Sequence, residues 1–303
     1  MTVVSGSKSS SQTKDVTVSE APVGSPTAEI TQYTDEEDCL YEEIDNTRDI
    51  ILWICAMDKD PGSDREIQDT RDIMLDAYDT EAGGEDQYIT EYNWDLDLLV
   101  DSDGDGNTEN DADLTGESVE WKDVAPGEYQ INLSVTNSAG KMDGDKIKVY
   151  VSFYGYWSDS DWEIDSGSSN DPEEIRFDMP VIYDKDQGNT IRKVELILTY
   201  PKMEDDQCVD VTPGEGDNCR NKLDIYAYNE EDEEARNTSE TPIENRDYDD
   251  CDDDNDCLQL LLSSYMFTET ESTFGDGEWV VAIHNEKIND QKIESFVIIL
   301  HYK

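Results

Sequence analysis

Apolar residues in this sequence fall in runs of strand length separated by acidic turns, and helical periodicity is nearly absent. That pattern predicts an all-β fold. The segment Ile50–Met57 is a continuous apolar run bounded by acidic turns, as a buried sandwich strand would be. The segment Glu128–Thr136 alternates, setting Tyr129, Ile131, Leu133 and Val135 on one face. The residues Asn137-Ser-Ala-Gly140 form a turn and Lys146–Phe153 returns, so the pair reads as a hairpin. A shorter strand is expected at Ile73–Tyr78. Past an aromatic, Gly/Ser-rich and acidic stretch from Tyr154 to Asp171, strands are predicted at Lys193–Tyr200, Lys222–Tyr228, Cys257–Phe267, Glu278–Asn285 and Glu294–Tyr302. Residues 203–219 and 229–256 read as long acidic loops.

A chain of 303 residues suits two domains of ordinary size. The expected organisation is a tail over 1–27, one β-sandwich over 28–153 and a second over 154–303. Within the tail, Asp15–Glu20 alternates like a short strand. It reads either as part of a linker or stalk, or as a strand donated to a neighbouring subunit's sheet.

Charge narrows the function classes. There are 76 Asp and Glu against 22 Lys and Arg, a formal net charge of -54. Such a chain repels nucleic acid and anionic membrane surfaces and attracts cations. Self-repulsion of this size calls for salt or bound metal, which points to a marine or saline setting. No apolar run reaches transmembrane length, so no membrane insertion is expected of this chain. No secretory leader is visible at Met1–Ser7, which implies a removed leader or anchor, or another route of release. Six cysteines suggest the local pairs Cys39–Cys55, Cys208–Cys219 and Cys251–Cys257, although proximity alone does not fix connectivity. Disulfides would place the chain outside the cytoplasm, extracellular or at a cell surface. Sequons at Asn132 and Asn237 are compatible with glycosylation.

The sharpest local motif is Asp101-Ser-Asp-Gly-Asp-Gly-Asn-Thr-Glu109. Oxygen ligands at alternate positions, with a glycine for the sharp turn, are what a hard divalent cation needs. Asp101, Asp103 and Asp105 supply carboxylates and Asn107 a backbone carbonyl, with Glu109 close behind. Where an EF-hand loop wants its bidentate Glu there is Ala112, flanked by Asp111 and Asp113, which could substitute. The expectation is a calcium loop without flanking helices; the alternative is a solvated acidic loop. Asp247–Cys257 is a second acidic candidate without a turn glycine, and Asp159, Asp161 and Asp165 cluster around Trp162.

The sequence offers little toward catalysis: carboxylates are so abundant that a pair suited to glycoside hydrolysis stays open without being signalled. The two histidines, His284 and His301, accompany no Gly-x-Ser-x-Gly motif, and no Gly-rich phosphate loop follows a strand. The chain is therefore read as non-enzymatic. Its six tryptophans could include a sugar-stacking platform but at strand positions are more often core.

Two family resemblances follow. Glu91-Tyr-Asn-Trp-Asp-Leu-Asp97, Val124-Ala-Pro-Gly-Glu-Tyr129 and Leu133–Gly140 resemble, in order, the Trp-Asp strand, the Ala-Pro-Gly-x-Tyr turn and the following strand of a polycystic-kidney-disease (PKD) domain. The resemblance covers about residues 65–153 and departs from the pattern at the acidic insertion 98–120. It implies an immunoglobulin-like sandwich that mediates contacts or spacing on cell surfaces and beside secreted enzymes. More loosely, Ile191–Tyr200, Lys222–Tyr228, Phe274–Asn285 and Ile293–Leu300 resemble the jelly-roll P domain that follows subtilisin-type proprotein convertases. The expectation is a calcium-stabilised extracellular structural protein, such as a self-associating subunit of a pilus-like filament, sheath or surface layer. The alternatives are an adhesion or carbohydrate-binding module pair from a secreted protease, with a glycan or cell-surface ligand, and a structural protein of a virus of a salt-adapted host.

Overall fold

A computed structural model of the chain describes residues 2–5, 8–11, 24–32, 41–43, 49–57, 59–65, 70–185, 189–202, 220–249, 251–268, 270 and 273–302. In chain order the principal strands are β1 (Ile50–Ala56), β2 (Arg71–Asp76), β3 (Ile89–Asp95), β4 (Leu114–Thr115), β5 (Ser118–Val124), β6 (Gly127–Asn137), β7 (Met142–Trp157), β8 (Glu173–Val181), β9 (Lys193–Pro201), β10 (Leu223–Tyr228), β11 (Glu234–Asn237), β12 (Asn255–Ser263), β13 (Gly277–Asn285) and β14 (Ser295–His301). The chain is all-β, and among the described residues only short 3-10 turns interrupt the strands.

A nine-stranded sheet runs through both halves in the order β12-β9-β14-β7-β6-β3-β4. On the other edge of β7 lies β1, parallel, with Tyr41–Glu43 antiparallel beyond it. In the first half a three-stranded sheet of Thr31–Gln32, β2 and β5 faces this one, with Trp121 edge-on to Tyr129 at 4.8 Å. In the second half the four-stranded sheet β8-β13-β10-β11 faces it, and Phe177 on β8 meets Phe296 on β14 at 4.9 Å. Alternation accounts for the packing. Ile131, Leu133 and Val135 of β6 are buried, as are Ile175, Phe177, Met179 and Val181 of β8. The predicted hairpin is present, β6 pairing with β7 from Gly127↔Val151 to Thr136↔Met142.

Strand β7 joins the halves. One edge pairs with β6 up to Val151 and with β14 from Phe153 to Trp157. Its opposite edge carries β1 from Val149 to Gly155. The strand passes residues 153 and 154 without a break, so no linker separates the halves, and one buried apolar cluster extends through both.

The N-terminal strands Thr2–Ser5 and Lys8–Ser11 pair with each other as a hairpin; Asp15–Glu20 lies outside the described residues. A disulfide joins Cys251 to Cys257 across a Cα separation of 5.8 Å. Cys55 is also disulfide-bonded, whereas its expected partner Cys39 and the pair Cys208–Cys219 lie outside the described residues. Asn132 is 7% exposed in the middle of β6, and its Nδ2 donates to Ser134 Oγ at 3.3 Å. Asn237 is half-buried, its Oδ1 accepting from the Ser239 amide at 3.0 Å and from the Ser239 hydroxyl at 2.8 Å.

Candidate metal centre

The acidic insertion is a loop closed at its base by sheet pairing. Strand β3 ends in Trp94 and Asp95, β4 pairs back with Trp94↔Leu114, and the Asp113 amide donates to Trp94 O at 2.9 Å. The Trp94 indole N–H donates to Gly116 O at 2.8 Å, and the Leu98 amide to Gln130 O at 2.9 Å. The loop is therefore rooted on the first sandwich.

At its tip the alternating carboxylates organise the backbone. Asp101 accepts from the Gly104 amide at 2.7 Å and the Gly106 amide at 2.9 Å. Both glycines have φ in the left-handed region, +76° and +90°, which a side chain would strain. Asp103 accepts from the Asp105 amide at 2.9 Å, and Asp105 from the Asn107 amide at 2.8 Å. Ligand atoms of Asp101, Asp103 and Asp105 lie within 4.8 Å of one another. Oxygens that share a calcium ion at about 2.3–2.6 Å can stand no more than about 5 Å apart. The separation and the all-oxygen donor set both fit.

The remaining predicted ligands are placed elsewhere. Glu109 is exposed and pairs with Lys146 at 3.4 Å, while Asn107 Oδ1 accepts from the Glu109 amide at 3.4 Å. Asp111 and Asp113 turn to the root of the loop. There the Ser102 amide donates to Asp111 Oδ2 at 2.7 Å and the Ser102 hydroxyl to Asp113 Oδ1 at 2.6 Å. They stand beside Asp95, which spacing did not single out although it sits in the Trp-Asp motif. Burial, followed by the charges of Asp113 and Asp111, pushes the Asp95 carboxyl up to about 6. The Asp97 amide draws it down weakly without reaching hydrogen-bonding geometry.

The second acidic candidate is of a different kind. Buried Asp256 is acted on by the cations Lys202, Arg246 and Arg220, although burial still raises its pKa. Neither the 247–257 segment nor the group around Trp162 brings three carboxylates together among the described residues. The tryptophans form no sugar platform: Trp53, Trp94, Trp157, Trp162 and Trp279 are buried, and Trp121 is packed against the core.

The outer face of the four-stranded sheet carries a stack of rings. Tyr226 and His284 lie 4.0 Å apart between centroids, Tyr228 lies 6.3 Å from His284, and Arg176 stands 5.5 Å over the Tyr228 ring. Burial holds His284 below the ordinary histidine value of 6.5, against the pull of Glu174 at 3.2 Å. A histidine lowered by folding contributes stability above its unfolded pKa and loses it as pH falls through the folded value. Wild type should therefore lose stability relative to His284→Gln as pH falls from about 7.5 to about 5. Denaturant midpoints at the two pH values read that difference; a constant gap would show that His284 is not the group responsible.

No family model matches the chain, and no curated protein does. Among solved structures it is similar to one from a study of the promiscuous specificity of β-sandwich carbohydrate-binding modules, at 12% identity and a TM-score of 0.28, over 93% of this chain and 98% of that one. It is also similar to the CBM51-2 and INT domains of Clostridium perfringens ZmpB, at 8% identity and a TM-score of 0.22, over 87% of this chain and 48% of that one. A third is the secreted serine protease VesC from Vibrio cholerae, at 9% identity and a TM-score of 0.21, over 88% of this chain and 51% of that one. Likenesses of this size assign neither a family nor a function.

Proposed function

We propose that this chain is a non-catalytic, calcium-stabilised structural protein of an extracellular assembly, a subunit of a pilus-like filament, sheath or surface layer. The observation that carries the reading is the convergence of Asp101, Asp103 and Asp105 in a loop rooted on the first sandwich. Calcium there offsets part of a net charge of -54 that otherwise opposes compaction and packing of copies side by side. The Cys251–Cys257 disulfide supports an oxidising compartment. The first sandwich is read as PKD-like and the second as P-domain-like, both as contact and spacing modules. Self-association runs through the surface and the N-terminal segment, whose hairpin pairs with no further strand among the described residues. The competing reading, a glycan-binding module, draws on Tyr228, the half-buried ring of that stack, with Arg176 5.5 Å over it.

Light scattering of the purified chain in millimolar calcium and again in chelator tests the proposal. Calcium-dependent polymers, lost on deleting residues 1–20, are the expected result. A folded monomer under both conditions would overturn it in favour of glycan binding.

A further inference from the structure

We infer that the outer edge of β12 is the acceptor for the N-terminal hairpin of a second copy of this chain, which extends the nine-stranded sheet by backbone pairing. The inference rests on the self-association reading above and names the surface through which it runs. Strand β12 ends its sheet, pairing along its length with β9. Cys257 shows which backbone groups face outward. Its amide donates to Arg246 O at 2.9 Å and its carbonyl accepts from the Tyr248 amide at 3.3 Å, both on the side away from β9. An antiparallel ladder turns the two groups of every second residue the same way, so Gln259, Leu261 and Ser263 present theirs outward too. Among the described residues no backbone group meets them there, and the exposed Arg236 side chain reaches Leu261 O at 2.7 Å. Leu261 is 38% exposed, and Tyr265, just beyond the strand, 63%.

Proteins defend sheet edges against pairing with lysine, proline, charge, bulges or shortness. The other strands that end a sheet among the described residues carry those devices. Strand β8 holds Pro180 and the charges of Glu173, Glu174, Arg176 and Asp178. Strand β5 holds Lys122 and a register shift beside Asp123, whose φ is +54°. The rest are four residues or fewer. Strand β12 runs for nine residues in unbroken register with β9, and its open stretch Leu258–Ser263 contains neither charge nor proline. The hairpin suits this edge by charge. No carboxylate precedes Asp15, and Lys8 and Lys14 lie in that stretch, in a chain whose net charge is -54. It can approach another copy without repulsion, its lysines meeting Asp247, Asp249 and Asp252–Asp254 beside the capped end of the edge. Its first strand, Thr2–Ser5, carries two valines, which favour pleated pairing. A hairpin on one copy and an edge on the next make a head-to-tail contact, which builds a filament or a ring and not a two-fold dimer.

The test couples amines to carboxylates with a zero-length carbodiimide in an equimolar mixture of unlabelled and heavy-isotope-labelled full chain, in millimolar calcium, and reads the joined peptides by mass spectrometry. Lys8 or Lys14 joined to Asp247, Asp249 or Asp252–Asp254 in mixed light–heavy pairs is the expected result. Same-copy pairs alone would show the hairpin folding back onto its own edge and would overturn the inference, as would mixed pairs that form at β5 or β8 or nowhere near β12. Light scattering of Leu261→Lys should show assembly shifted to a concentration on the order of 10-fold higher, because the lysine defends the edge and the apolar contact is lost. Its thermal midpoint should match that of wild type, since Leu261 is an exposed residue. Undiminished assembly in Leu261→Lys would overturn β12 as the acceptor and leave the assembly reading standing. A wild-type chain that stays monomeric throughout would sink both.

Discussion

Replacing Arg246 by alanine is expected to destabilise the fold by about 3–5 kcal/mol, the usual consequence of removing one partner of a buried ion pair. Arg246 and Asp224 are both fully buried and meet at 2.7 Å. The guanidinium also donates to the Tyr200 hydroxyl at 2.6 Å, to Leu223 O at 2.5 Å and, through Nε, to Thr241 O at 3.2 Å. Tyr200 belongs to β9 in the large sheet and Asp224 to β10 in the facing sheet, so one side chain fastens the two layers of the second sandwich. Truncation leaves a buried carboxylate and several acceptors without their donor. Lys222, at 2.7 Å from Asp224 Oδ2, and the Thr238 hydroxyl, at 3.0 Å from Oδ1, soften the loss without replacing it. The effect belongs to the stranded charge and not to the pair itself. The double variant Arg246→Met/Asp224→Leu should therefore recover much of the stability. Denaturant unfolding reads both; a loss under about 1 kcal/mol in Arg246→Ala would show that Asp224 is satisfied by its other neighbours.

What sequence reading found and missed follows from how local each signal is. Period-two alternation placed β6, because a strand with one buried face writes that face into its own residues. Strand β8 carries the same signal in Ile175, Phe177, Met179 and Val181, yet it follows a Gly/Ser-rich acidic stretch that reads as a loop. Arg246 is a lone cation in a run of carboxylates, where nothing local separates a buried anchor from a solvated charge. The parallel pairing of β1 with β7 joins residues about a hundred positions apart and leaves no mark on either segment. At the candidate site, Asp101, Asp103 and Asp105 were legible because the turn that gathers them is encoded by its own glycines. The departure of Asp111 and Asp113 toward Asp95 was not, since it depends on Ser102 and on the closure of β3 against β4.

Trp157→Ala should lower the thermal midpoint by about 5–10 °C, corresponding to the 3–5 kcal/mol typical of emptying a buried indole site. Trp157 is fully buried at the end of β7, tilted against Phe177 at 4.9 Å and stacked with Phe296 at 6.5 Å. Its ring lies over Gly155, where a Cβ would come within 2.4 Å of the indole, so the backbone admits the ring only because residue 155 is glycine. The indole N–H has no partner among the described residues, so Trp157→Phe, which keeps an aromatic ring and removes that N–H, should cost clearly less than alanine. The form of the transition matters as much as its midpoint. If a linker joined two independent sandwiches, calorimetry would resolve two transitions and the substitution would move only one. Because β7 pairs with β6 and β14 along one edge and with β1 along the other, melting the second sandwich removes the partner that β1 holds from Phe153 to Gly155. A single transition, shifted as a whole by Trp157→Ala, is the expected result. Two transitions of which one stays fixed would show that the shared strand does not couple the halves energetically.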